Sequence, residues 1–375
     1  MKIKIAERLR PFAHLPGTYC LLPLSSLRLQ IFPTLIRIHA FDCQIAPVPV
    51  GEIVLNLRGP VKNFTVQQDL EKGEVKVWGT CPQGYFCYRI FLSAEGFLTV
   101  KFEQTFTLAC TPNCAYELKR NESLSSCMGE TEIHVKDELI FKLSSMVAKT
   151  PKPQIHERLS LGSHKAQDWE MIKRRMDFSE IFPCWFRLAA LIPHSSAKFA
   201  SPLVDHCREM IQQKQRNEIL TAFYPLFAAG FEGILTPRAF DTEYQGFDSI
   251  LAPDNTHSPL PLLTQGAQLI RSLFLEVNAQ ALAILPALPT EFHSGRGVQW
   301  YCEGIGLVDF EWSKKELRRL FLYATATQTI EIAFQKQLHK MRMRTNSVEK
   351  GKIVACDAPV EIQKDQLYIF DNFQH

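Results

Sequence analysis

The chain has 375 residues, more than one hydrophobic core usually organises, so two or three domains are expected. Its 46% apolar and 22% charged residues are those of an ordinary globular protein, and a net charge of +3 is too small for a dedicated nucleic-acid surface. Its apolar runs fall short of the ~20 residues that span a bilayer, which excludes a membrane-embedded helical protein.

The opening MKIKIAERLRPF is charged and has no continuous apolar stretch before Pro11, so no secretory signal is read there. With 11 cysteines, an odd number, the expectation is a cytoplasmic protein whose thiols are reduced and buried. Cys110 and Cys114 form a Cys-x3-Cys pair, but the remaining cysteines fall at no zinc-site spacing. Neither a metal nor a cofactor is expected. The short basic runs 173–175 and 340–344 read as solvated faces.

Residues 1–150 are expected to form an antiparallel β-sandwich. Residues 27–38 (LRLQIFPTLIRI) alternate at a strand's period of two, with Pro33 marking a bulge or an edge. Further strands are read at 52–57, 63–68, 74–78, 85–92, 97–106, 131–135 and 138–143, separated by turn signals such as Arg58-Gly59-Pro60 and Ala94-Glu95-Gly96. Residues 108–126, rich in Cys, Pro and Asn, read as a long loop.

Residues 151–283 are expected to be helical. The linker Thr150-Pro151-Lys152-Pro153 precedes a change of period from two to 3.6. Ser163 can cap a helix over 164–175. Helices are also read over 181–191, broken by Pro183, over 202–215 behind Ser201, and over 217–229, interrupted by Pro225. The best amphipathic pattern covers 265–280, with Leu269, Ile270, Leu273, Phe274 and Val277 on one face. Between the last two lies a polar, acidic stretch holding Arg238, Asp241, Glu243, Tyr244, Asp248, Asp254, Asn255 and His257. Paired carboxyl groups can protonate a leaving oxygen and activate water, and rings can pack on a sugar's apolar face. The same residues also read as solvated turn formers.

Residues 284–375 are expected to be a small antiparallel sandwich. They open on Leu285-Pro286-Ala287-Leu288-Pro289, where the prolines end regular structure, followed by a turn at Ser294-Gly295-Arg296-Gly297. Strands follow at 298–303, 306–312, 317–324, 329–334, 352–356, 360–363 and 366–370. Trp300 can stack on a sugar or fill the core.

The LPALP segment, the Ser294–Gly297 turn and the run Asp309-Phe310-Glu311-Trp312 resemble the junction between helical barrel and C-terminal β-domain in inverting α-L-fucosidase-type glycoside hydrolases. The resemblance implies a β-sandwich, a helical barrel and a second sandwich in that order. It implies a carbohydrate as ligand. The acidic stretch and the aromatic rings, read from their own chemistry, then supply Asp241, Glu243, Asp248 and Asp254 as catalytic candidates and Arg238, Tyr244, Asn255, His257 and Trp300 as candidate substrate contacts. Where that family carries its aspartate motif, after the position matched by His257-Ser258-Pro259-Leu260-Pro261, this chain has Leu262-Leu263-Thr264.

The helical stretch is also short. Twelve helices of ~11–12 residues with ~4–6-residue connections need far more chain than 151–283 supplies. The fold expected is therefore a mixed, multidomain one, with two sandwiches around a truncated α/α-barrel-like layer. Two functions follow: a glycoside hydrolase-like protein acting on or binding a carbohydrate, or a non-catalytic glycan- or protein-binding scaffold of the same build. An incomplete helical layer would leave an apolar face for a second copy to cover, which predicts a homodimer.

Overall fold

The computed structural model describes residues 2–41, 47–143, 147–162, 165–194, 200–231, 258–278, 281–346 and 348–375. The alternating segments of the first third become strands because each can bury one face. In chain order they are β1 (Phe12–Ala13), β2 (Thr18–Leu21), β3 (Leu27–Ile31), β4 (Leu35–Ala40), β5 (Val48–Leu55), β6 (Lys62–Asp69) and β7 (Glu74–Cys81). There follow β8 (Gly84–Leu92), β9 (Leu98–Phe102), β10 (Leu108–Pro112), β11 (Tyr116–Arg120), β12 (Ser123–Cys127), β13 (Thr131–Ile133) and β14 (Glu138–Phe141). An eight-stranded sheet has the order β1-β6-β7-β8-β9-β14-β11-β12, and a six-stranded sheet the order β13-β10-β5-β4-β3-β2. Leu29, Ile31, Ile36 and Ile38 of the smaller sheet and Val75, Val77, Tyr88 and Ile90 of the larger are all buried in one core.

Two expectations are corrected here. Residues 27–38 are not one strand with a bulge: β3 and β4 form a hairpin, closed where Phe32 N–H donates to the Leu35 carbonyl (2.8 Å). Proline has no N–H for a ladder and its fixed φ suits a turn, so the chain reverses at Pro33. The expected loop at 108–126 holds β10, β11 and β12. Their composition is poor in strand formers, and what makes them strands is pairing: β10 with β5 and β13, β11 with β14, and β12 with β11.

The middle runs β15 (Arg158–Ser160), α1 (Trp169–Arg175), α2 (Phe178–Ala189), α3 (Pro202–Gln212), α4 (Ile219–Gly230) and α5 (Leu260–Phe274). Ser163 lies outside the described residues; the cap of α1 is Asp168, whose Oδ1 accepts from the Glu170 N–H at 3.0 Å. Pro183 and Pro225 do not break their helices. They sit inside α2 and α4, held by the buried aromatic faces on which those helices pack. Met171 is the one large apolar side chain that the helices expose among the described residues. Among the described residues, the apolar faces of these helices are otherwise buried or half-buried.

The helix read over 265–280 ends at Phe274, and Val277 lies in a strand instead. The last third runs β16 (Leu275–Asn278), β17 (Ala281–Ile284), β18 (Ser294–Cys302), β19 (Gly306–Ser313) and β20 (Glu316–Ala324). It ends with β21 (Gln328–Ala333), β22 (Lys340–Arg344), β23 (Lys352–Ala355), β24 (Val360–Ile362) and β25 (Leu367–Gln374). A seven-stranded sheet has the order β15-β18-β19-β20-β25-β22-β23, and a four-stranded sheet the order β16-β17-β21-β24. Only the β17–β21 pair is parallel among the described strands. Strands on both sides of the helices thus join the C-terminal sheets, so the helical layer is an insertion between strands of that sandwich.

The sequence Ser294-Gly295-Arg296-Gly297 is not a turn but the start of β18, in register with Ser313, Trp312, Glu311 and Phe310 of β19. A Cβ on Gly295 would stand 2.3 Å from the Trp312 ring, and one on Gly297 would stand 2.4 Å from the Phe310 ring. The glycines exist so that two aromatic rings can lie flat across the neighbouring strand. Gly297→Ala is expected to destabilise the protein by about 1–3 kcal/mol through overpacking, read as a lower denaturation midpoint with unchanged slope.

The N-terminal sandwich meets the helices through a polar seam. Arg187 of α2 is buried; its Nε–H donates to the Leu70 carbonyl (3.3 Å) and its Nη2–H to His156 Nδ1 (2.8 Å). A guanidinium only donates, so Nδ1 must accept and His156 must be neutral. Burial, then the charge of Arg187, hold its pKa below the ordinary 6.5; Lys152 and Arg158 push the same way and Glu71 opposes. A depressed pKa means stability that is present above 6.5 and lost as pH falls through the folded value. Moving from about pH 7.5 to about 5.5 is expected to lower the unfolding midpoint of the wild type more than that of His156→Asn, which does not titrate.

Candidate functional site

A cleft of about 350 Å³ opens where the helical layer meets the C-terminal sandwich. Its walls come from the segment after β15 (Leu161, Gly162), the α1–α2 junction (Met176 to Ser179), α4 (Leu220, Thr221, Tyr224) and the loop before β18 (Glu291 to Ser294). It lies at the small end of the range of ligand sites and combines apolar rings with a few polar groups, as such sites do.

The local sequence explains each wall. Met176 ends α1 in the left-handed conformation (φ 50°), its N–H donating to the Ile172 carbonyl (2.9 Å). That turn brings Asp177 to the head of α2, where Oδ1 accepts from the Ser179 N–H at 2.9 Å. Its other oxygen stands 3.8 Å from Lys165 Nζ, which pairs more closely with buried Glu180 (3.0 Å). The Phe178 ring packs on Tyr224 with centroids 4.9 Å apart, giving the cleft an aromatic floor.

Opposite, the LPALP segment delivers Glu291 and His293. Leu285 turns through φ 55° and its N–H donates to the Phe274 carbonyl (2.8 Å). The loop beyond is pinned by the Trp312 indole N–H on the Phe292 carbonyl (3.1 Å) and by the Lys315 N–H on the His293 carbonyl (2.9 Å). Glu291 and His293 themselves are exposed to the cleft mouth. The site therefore presents two carboxylates from different walls, an imidazole, hydroxyl groups and an aromatic surface. It can accept hydrogen bonds from a polar ligand while one face of that ligand packs on a ring.

The sequence-predicted residues fare differently. Arg238, Asp241, Glu243, Tyr244, Asp248, Asp254, Asn255 and His257 lie outside the described residues. Trp300 is fully buried: it stacks on Phe186 (5.0 Å), its indole N–H donates to the Arg158 carbonyl (2.9 Å), and neither ring face is open to a ligand. Of the two ways of reading it, the core is where it sits. Asp309 is buried and accepts from the Gln299 N–H (2.7 Å) at a strand bulge, and burial raises its pKa. Glu311 is held low despite its burial, because Arg319 and Arg296 both pair with it. The DFEW run builds the sheet and offers no acid to the cleft.

Asp177, Ser179, Tyr224, Glu291 and His293 were not singled out from the sequence. A signal for the first was present: Asp177-Phe178-Ser179-Glu180 has the Asp-x-x-Glu spacing of a helix start. Glu291 and His293 lie directly behind LPALP, but nothing local shows which way that loop faces.

Burial pushes the Cys110 thiol up to about 12, which keeps it protonated, and raises Cys114 as well. Among the described residues no three His, Cys, Asp or Glu side chains converge as a metal ion requires. Among them, too, no helix is long and apolar enough to cross a membrane. No protein-family model matches the chain, and no curated protein matches it.

Trp312→Phe keeps an aromatic ring but removes the N–H that holds the Phe292 carbonyl. It is expected to cost about 1–3 kcal/mol and to speed amide exchange in residues 290–294, measured by hydrogen–deuterium exchange.

Proposed function

We propose that the protein binds a small neutral saccharide in this cleft, on a frame similar to that of α-L-fucosidase-type glycoside hydrolases. The observation that carries the reading is that the loop behind LPALP brings Glu291 and His293 to the same cleft as Asp177 and Tyr224. Carboxylates that accept from hydroxyl groups, beside a ring that takes the apolar face, are what recognition of a sugar requires.

Binding without turnover is the form we favour. The place where the resemblance puts a catalytic aspartate falls in α5, where Leu263 and Thr264 are buried and Thr264 Oγ1 donates to the Leu260 and Pro261 carbonyls (both 3.1 Å). The second reading is hydrolysis, and it is favoured by the two carboxylates on different walls. Asp177 and Glu291 would then share the acid and base roles, with Asp241, Glu243, Asp248 and Asp254 as further candidates.

Calorimetric titration with methyl glycosides of neutral hexoses is expected to show binding by the wild type. Asp177→Asn, which still caps α2, and Glu291→Gln are each expected to weaken it on the order of tenfold. Nitrophenyl glycosides are expected to release no nitrophenol. Release that disappears in either variant would establish the hydrolytic reading, and absence of binding by the wild type would remove both.

A further inference from the structure

In an α-helix each N–H donates to the carbonyl four residues earlier, and a proline past the first turn withholds that bond. Such a proline is the costliest residue a helix interior can hold. This protein places one in each of two helices, Pro183 in α2 and Pro225 in α4. Counting back four residues from each gives Ser179 and Thr221. Both line the same cleft, although they come from different helices and different walls. Ser179 is half-buried and Thr221 exposed.

We infer that Pro183 and Pro225 serve the cleft, leaving the Ser179 and Thr221 main-chain carbonyls as acceptors for a donor-rich ligand. This deepens the carbohydrate reading and rests on it. The carbonyls add acceptors beside the carboxyl groups of Asp177 and Glu291, in a wall whose other polar groups include the His293 ring and the Ser179 and Thr221 hydroxyls. No Lys or Arg is among the described residues lining it. The ligand that fits carries hydroxyl or ammonium donors and no negative charge, so the class is a neutral or amino sugar, and a uronic acid is disfavoured. Backbone groups held out of regular bonding at a cost to the fold are a recurrent feature of binding sites.

The test uses the full chain, titrated with methyl galactoside, glucosamine and glucuronate. The wild type is expected to bind the first two and to bind glucuronate about tenfold more weakly or not at all. Pro183→Ala and Pro225→Ala restore the missing donors. Each is expected to raise the thermal midpoint while weakening binding on the order of tenfold. Pro202→Ala is the control: at the first position of α3 no intrahelical bond is withheld, so affinity is expected to stay as it is. Proline variants that bind as tightly as the wild type overturn this inference alone. Tighter binding of glucuronate than of glucosamine overturns the ligand class. If none of the three sugars binds the wild type, the carbohydrate reading falls and this inference falls with it.

Discussion

The structure depends on one contact above others: the aromatic column that joins the helical layer to the C-terminal sandwich. Phe182 of α2 packs on Trp185 and Phe223, and also on Phe292 beyond LPALP (5.7 Å). Phe292 meets Phe274, which reaches Trp312, and Trp312 lies on Phe310 (6.0 Å). Rings of this size dominate the area a core removes from water, and their offset contacts add a geometric preference that aliphatic side chains lack. Indole N–H groups convert that packing into register: Trp185 donates to Leu263, Trp300 to Arg158 and Trp312 to Phe292. Each bond ties a helix, strand or loop to another element far away in sequence.

The cleft inherits its rigidity from that column. Phe178 and Phe292 belong to both the aromatic core and the cleft lining, so the polar residues beside them, Asp177, Ser179, Glu291 and His293, stand on fixed backbone. Many of the charged groups near the helices work instead on structure. Glu180 is taken by Arg175 and Lys165, Glu157 by Arg271, and Arg187 by the Leu70 carbonyl and His156. Removing one partner of such buried groups is costly because the other is left without its counterpart. Among the described residues, Asp177 and Glu291 are the acids that line the cleft.

The motif that suggested an architecture explains itself physically. Gly295 and Gly297 make room for Trp312 and Phe310, Asp309 satisfies the bulge, and Glu311 pairs with two arginines. All of these residues build the β-sheet that receives the aromatic column. Such a motif marks how the sandwich is assembled next to a helical layer, and says little about which group meets a ligand.

Strand alternation in residues 27–31 and 74–78, the helix that starts behind Ser201, and the break at LPALP were all legible in the chain, because each depends on a local signal. Strands β10 and β11 were not, since they pair with β5 and β14; β12 and β16 close local hairpins on β11 and β17 that their composition does not signal. The prolines of α2 and α4 read locally as breaks, and only the aromatic packing around them shows continuous helices. The cleft was least legible of all. Four separate stretches of chain supply its walls, and no local pattern brings Asp177 and Glu291 to one cavity. Local chemistry settled which segments bury a face; long-range packing alone decided which polar residues share a space.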